Sequence, residues 1–138
     1  MKNLILAALV ISTISFSTFA QEATPSTLAA VMKSMKTTLK KLTPQVNNPQ
    51  ANPDSLKLAQ ELLNMTENSK KFVPDTISSL PKDQQQVQLD KYLKLIDELV
   101  QMEKDLVLAF QNNDNLKAAD IVTKMDAIKK EGHDQFKN

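Results

Sequence analysis

The chain has 138 residues, among them 17 Lys, 16 Asp or Glu, one His, one Gly and no Cys, Trp or Arg. Without Cys, disulfides, thiolate metal sites and cofactors tethered through cysteines are excluded. Without Arg or a basic block, the side chain best suited to bidentate phosphate and base-edge contacts is missing, so nucleic acid is not an expected partner.

Residues 1–20, MKNLILAALVISTISFSTFA, place Lys2 before an apolar run from Leu4 to Val10, extended by Ile11 and Ile14, and end in small and hydroxyl residues. This is the pattern of a secretory signal peptide, with cleavage expected between Ala20 and Gln21. The run is short and interrupted by Ser12, Thr13, Ser15 and Ser17, so a membrane span is not expected. Removing Lys2 leaves 16 Lys against 16 acids, a formally neutral mature chain. Residues 21–138 suffice for one domain with one core and not for two.

From Ser26 the pattern turns helical: Leu28, Met32, Met35, Leu39 and Leu42 recur at spacings of four, three, four and three, with the helix stopping before Pro44. Residues 43–52 are rich in Pro, Asn and Gln and read as a loop. Asn52 as N-cap, Pro53 and Asp54 start a second helix running to about Val73. It should bury Leu58, Leu62, Met65 and Phe72, with Ala59 and Leu63 at the edge of that face. Residues 74–81, PDTISSLP, form a connection bounded by prolines.

A third helix, Lys82 to Gln111, carries Leu89, Tyr92, Leu93, Ile96, Leu99, Val100, Leu106, Val107 and Phe110 on its apolar side. Its acids Asp97, Glu98, Glu103 and Asp105 read as a solvated face, which argues against a catalytic carboxylate pair. After a polar turn at 111–115, capped by Asn113 or Asp114, a fourth helix runs from Asn115 to Phe136. It should bury Ala118, Ile121, Val122, Met125 and Ile128. Four amphipathic helices without a strand predict an all-α fold, an antiparallel up-down-up-down four-helix bundle.

His133 is the candidate functional residue by elimination, with the only Gly of the chain at position 132. A His in the last turn of a helix also serves to cap free carbonyls and complement the helix dipole. Gly within a helix costs up to about 1 kcal/mol relative to Ala, so its use beside the imidazole implies either fraying or a need for space. A large planar ligand would need that space.

With these elements in place, the chain resembles the cytochrome b562 family of exported haem proteins. Two stretches carry the resemblance. The first helix of the family has Leu, a ligand Met, Leu, Leu and Ile at the spacings that here give Leu28, Met32, Met35, Leu39 and Leu42. The last helix of the family has a ligand His followed three residues later by an aromatic, here His133 and Phe136. The resemblance implies a periplasmic electron-transfer protein, not an enzyme, with one non-covalent haem b per chain and Met32 and His133 as axial ligands. Tyr92 and Ile96 would stand against the haem from the third helix. Lys129 takes the place of a family Arg one turn before the His, and Gly132 and Phe136 replace two Tyr. Met/His ligation fills both axial positions and raises the reduction potential, which suits electron transfer.

A redox partner protein is implied but not identified. The competing expectation is a haem-free exported helical bundle that acts as a protein-binding or stress-response module. Export itself is directly testable: mass spectrometry of the mature protein should give a chain beginning at Gln21, and a chain retaining Met1 would refute the cleavage.

Overall fold

The computed structural model describes residues 27–136, so the signal-peptide reading falls outside the described residues. Within them the chain is all-helical. Helix α1 spans Leu28–Leu42, α2 Asn52–Ser69, α3 Asp75–Ser78, α4 Lys82–Gln111 and α5 Asn115–Phe136, with two 3-10 turns, Thr43–Gln45 and Pro49–Ala51, between α1 and α2.

Local chemistry explains most boundaries. Thr27 Oγ1 accepts from Ala30 N at 3.2 Å and caps α1, while Lys40 and Lys41 in its last turn complement the dipole. Helix α2 opens one residue earlier than the Asn52 cap predicts: Ala51 takes the cap position without a side-chain hydrogen bond. The Asn52 amide is drawn away to the α4–α5 turn instead. At its other end α2 stops at Ser69 and not near Val73, because Lys71 N and Phe72 N turn back onto Asn68 O and Ser69 O. The proline-bounded connection after it contains the single helical turn α3.

The α4–α5 turn is tightly determined. Asn113 adopts φ 54°, the left-handed region that Asn tolerates better than most side chains. Asp114 N then reaches Ala109 O at 2.8 Å and Asn113 N reaches Phe110 O at 3.1 Å, which closes the last turn of α4. Asp114 Oδ1 accepts from Lys117 N at 3.0 Å and starts α5.

Cross-helix pairs give the directions. Thr66 meets Glu103, Lys70 meets Asp97 and Asn52 meets Asn113, so α2 and α4 are antiparallel. Tyr92 meets Phe136 far from the 111–115 turn, so α4 and α5 are antiparallel. Gln45 Nε2 donates to Asp54 at 2.9 Å, and Asn115 Nδ2 donates to Val46 O at 2.7 Å. These bonds bring the end of α1 to the start of α2 and α5. Helix α1 packs closely on α2, α2 on α4, and α4 on α5.

Two apolar clusters fill the interior. The larger draws Leu42 and Val46, Leu58, Ala59 and Leu62, Leu106, Ala109 and Phe110, and Ala118, Ile121, Val122 and Met125 from the four long helices and the first loop. The second gathers Ile77, Tyr92, Ile96 and Val100, with Leu63, Leu89, Leu93 and Phe136 against them. On α1 the inward face is rotated from the one expected. Val31, Thr38 and Leu42 are buried, while Leu28, Met32, Met35 and Leu39 are only half-buried. On α2, Leu58 and Leu62 are buried as the pattern requires, Ala59, expected at the edge of the face, is fully buried as well, and Met65 and, beyond the helix, Phe72 are only half-buried. Ile128 of α5 is likewise half-buried.

The Asn cluster is the polar lock at one end. Asn52 Nδ2 donates to Asn113 Oδ1 at 2.9 Å and Asn115 Oδ1 at 3.1 Å, and Asn115 Nδ2 returns to Asn52 Oδ1 at 2.9 Å. Because Asn52 is buried, Asn52→Ala should strand polar groups of both partners and destabilise the fold by about 1–3 kcal/mol, measurable as a lower urea midpoint.

Candidate functional site

The helices bearing the two strongest sequence candidates, Met32 on α1 and His133 on α5, are not among the closely packed pairs of the described residues. Met32 is half-buried on the edge of the inward face of α1, and His133 is exposed in the last turn of α5.

Gly132, next to His133, has open space where a Cβ would stand, with nothing within 4 Å.

The remaining candidates divide into two groups. Tyr92 and Ile96 are buried together on α4 in the second cluster, and the Phe136 ring meets Tyr92 edge-on with centroids 5.5 Å apart. Thr76 Oγ1 donates to Phe136 O at 3.0 Å, so the last turn of α5 is pinned to α3 and α4. Tyr92 Oη donates to Ser69 O at 3.4 Å. Burial raises its hydroxyl pKa, an effect the Ser69 bond partly offsets. Tyr92 thus forms part of the packed interior. Lys129, in contrast, is exposed and its ammonium pairs with Asp126 one turn back on the same helix.

One group was misread from sequence. Glu103, assigned above to a solvated face with Asp105, is completely buried. Its Oε1 accepts from Thr66 Oγ1 at 2.8 Å, and its Oε2 is buried with no hydrogen-bond partner. Burial pushes the carboxyl up to about 8, against the Thr66 hydrogen bond and with a smaller contribution from the like charge of Glu67. The signal was available: Glu103 stands seven residues after Ile96, three after Val100 and three before Leu106, on the apolar stripe itself. The pairing with Asp105 in sequence concealed this, since residues two apart on a helix face different sides.

No protein-family model, curated protein or solved structure matches the chain. The chemistry of the site therefore rests on its own residues. A thioether at Met32 on α1 and an imidazole at His133 on α5 are donor types that fit haem iron, carried by two helices that are not a closely packed pair. Among the described residues no group of three or more His, Cys, Asp or Glu is placed to hold a metal ion.

Gly132 gives a test that separates empty space from used space. Gly132→Ala should raise the stability of the haem-free chain by up to about 1 kcal/mol, the difference in helix propensity, read from urea unfolding. Where a planar ligand uses the space, the same substitution should weaken its binding.

Proposed function

We propose that residues 21–138 form an antiparallel up-down-up-down four-helix bundle that binds one non-covalent haem b and serves as a periplasmic electron-transfer protein without catalytic activity. What supports this reading is the donor pair itself, a thioether at Met32 on α1 and the single His of the chain on α5, on two helices that are not among the closely packed pairs of the described residues.

Met32 and His133 would hold the iron, and haem bound there supplies a one-electron couple. The chain's own contribution would be the two ligands, Met32 and His133, which together would leave no open position for substrate or oxygen and so favour electron transfer over catalysis. Tyr92 and Ile96 contribute the packed wall of α4 beneath the last turn of α5. Phe136, held by Thr76 and Tyr92, restrains the turn that carries His133. Exposed Lys129, whose ammonium pairs with Asp126, would stand at the solvent-facing edge of the site. Met35 packs against the larger core cluster and acts as filler, for which a flexible thioether is suited.

Haem titration followed by visible spectroscopy tests the assignment. The wild-type chain should give a low-spin six-coordinate spectrum and a melting temperature that rises with haem, because a ligand that binds only the folded form stabilises by mass action. Met32→Leu should keep the fold and shift the spectrum to a five-coordinate, high-spin form with a lower potential. Met35→Leu should leave the spectrum unchanged at a cost below about 1.5 kcal/mol. His133→Ala should weaken binding most. A chain that stays colourless with an unchanged melting temperature at saturating haem would refute the haem reading and favour a haem-free protein-binding module.

A further inference from the structure

Glu103 lies between Val100 of one core cluster and Leu106 of the other, at the contact of α4 with α2. It has no solvent exposure, one hydrogen bond from Thr66, and an Oε2 without a partner. As a carboxylate it would bury a full charge on two oxygens with a single donor between them, a costly state. As a neutral acid it removes that charge and keeps the Thr66 bond.

The charged groups around it offer no compensation. From α2, Glu67 acts on it with like charge, and Lys104 Nζ stands 3.9 Å from Glu67. Lys70 is engaged with Asp97 at 2.5 Å. Helix α5 buries Ala118, Ile121, Val122 and Met125, while its Asp120–Lys124 and Asp126–Lys129 pairs are exposed. Helix α1 buries Val31, Thr38 and Leu42 and exposes Lys33, Lys36, Lys40 and Lys41. Asp75 of α3 is exposed as well.

We propose that Glu103 is a proton switch built into the α2–α4 seam: as a neutral acid it lets the seam close without water, and its ionisation loosens the seam and the packing of both core clusters. The switch is independent of haem and of the Met32 and His133 assignment. Its direction follows from linkage. The folded carboxyl titrates at about 8, whereas in the unfolded chain it titrates near about 4.3. Between these values the folded chain holds a proton that the unfolded chain has released. The resulting stability is fully present below the ordinary Glu range and is lost progressively as pH rises towards about 8.

Urea unfolding of the full purified chain from about pH 5 to about pH 9 tests the proposal against Glu103→Gln, the uncharged isostere. The folding constant of the wild type should fall at least about tenfold more across that range than that of the variant. The near-ultraviolet signal of Tyr92, whose hydroxyl donates to Ser69 O across the same seam, should change over the same range in the wild type and stay constant in the variant. Carboxyl-carbon NMR of the wild type should show Glu103 titrating well above the ordinary Glu range. This last measurement decides the protonation state even if the variant does not fold. A Glu103 resonance that titrates like an exposed Glu, equal pH slopes in the two chains, or a Tyr92 signal unmoved while Glu103 ionises would each overturn the proposal.

Discussion

The contact between α2 and α4 is the constraint on which the rest of the structure depends. Helix α4, with its 30 residues, spans about 45 Å and packs α2 along one side and α5 along another. The register of α2 on α4 sets where both core clusters fall, and the register of α5 on α4 follows from a turn that leaves almost no freedom. Four backbone and side-chain hydrogen bonds around Asn113 and Asp114, together with the Asn52–Asn115 lock, fix one end. Thr76, Tyr92 and Phe136 fix the other.

A polar group in the middle of this contact is unusual in energetic terms. Thr66, Ser69 and Glu103 are all fully buried; Thr66 Oγ1 donates to one Glu103 oxygen and leaves the other without a partner, while Ser69 Oγ donates to Thr66 O at 2.6 Å. Apolar residues of similar size would avoid the desolvation of Glu103. What the polar layer adds is a specific partner: Thr66 Oγ1 and Glu103 Oε1 meet in one register of α2 on α4, whereas aliphatic surfaces slide past one another with little penalty. The same layer makes the stability of the fold depend on a proton. By comparison, the exposed pairs Lys104–Glu67 and Lys124–Asp120 contribute little, being solvated and screened.

The flank helices are held differently. Helix α5 is anchored along its length by Ala118, Ile121, Val122 and Met125, but beyond Met125 its side chains are half-buried or exposed until Phe136. The segment carrying Gly132 and His133 is thus tied at both ends and lightly packed between them. Helix α1 is joined to the larger cluster mainly through Leu42, with Met35 and Leu39 against it. Lightly packed segments are where structures open at least cost, so the two helices proposed to grip haem are also those with most freedom to adjust around it.

The sequence by itself determined the helical class, the bounds of α4 and α5, the polar turn between them and, Ile128 apart, the inward residues of α5, because apolar periodicity and local capping act within a few residues. His133, as the only imidazole of the chain, and Met32, through a family-like spacing, could be singled out as candidates from the sequence. Tertiary structure alone decided the rest. It rotated the inward face of α1 from Met32 and Leu28 towards Val31, since which edge of an amphipathic helix is covered depends on the partner and not on the pattern. It drew Asn52 out of its predicted cap role, because a lock joining residues more than sixty apart outweighs one local cap. It turned Glu103 from a surface acid into a buried one, because the charge of a side chain predicts solvent, whereas its place on the helix stripe dictates burial.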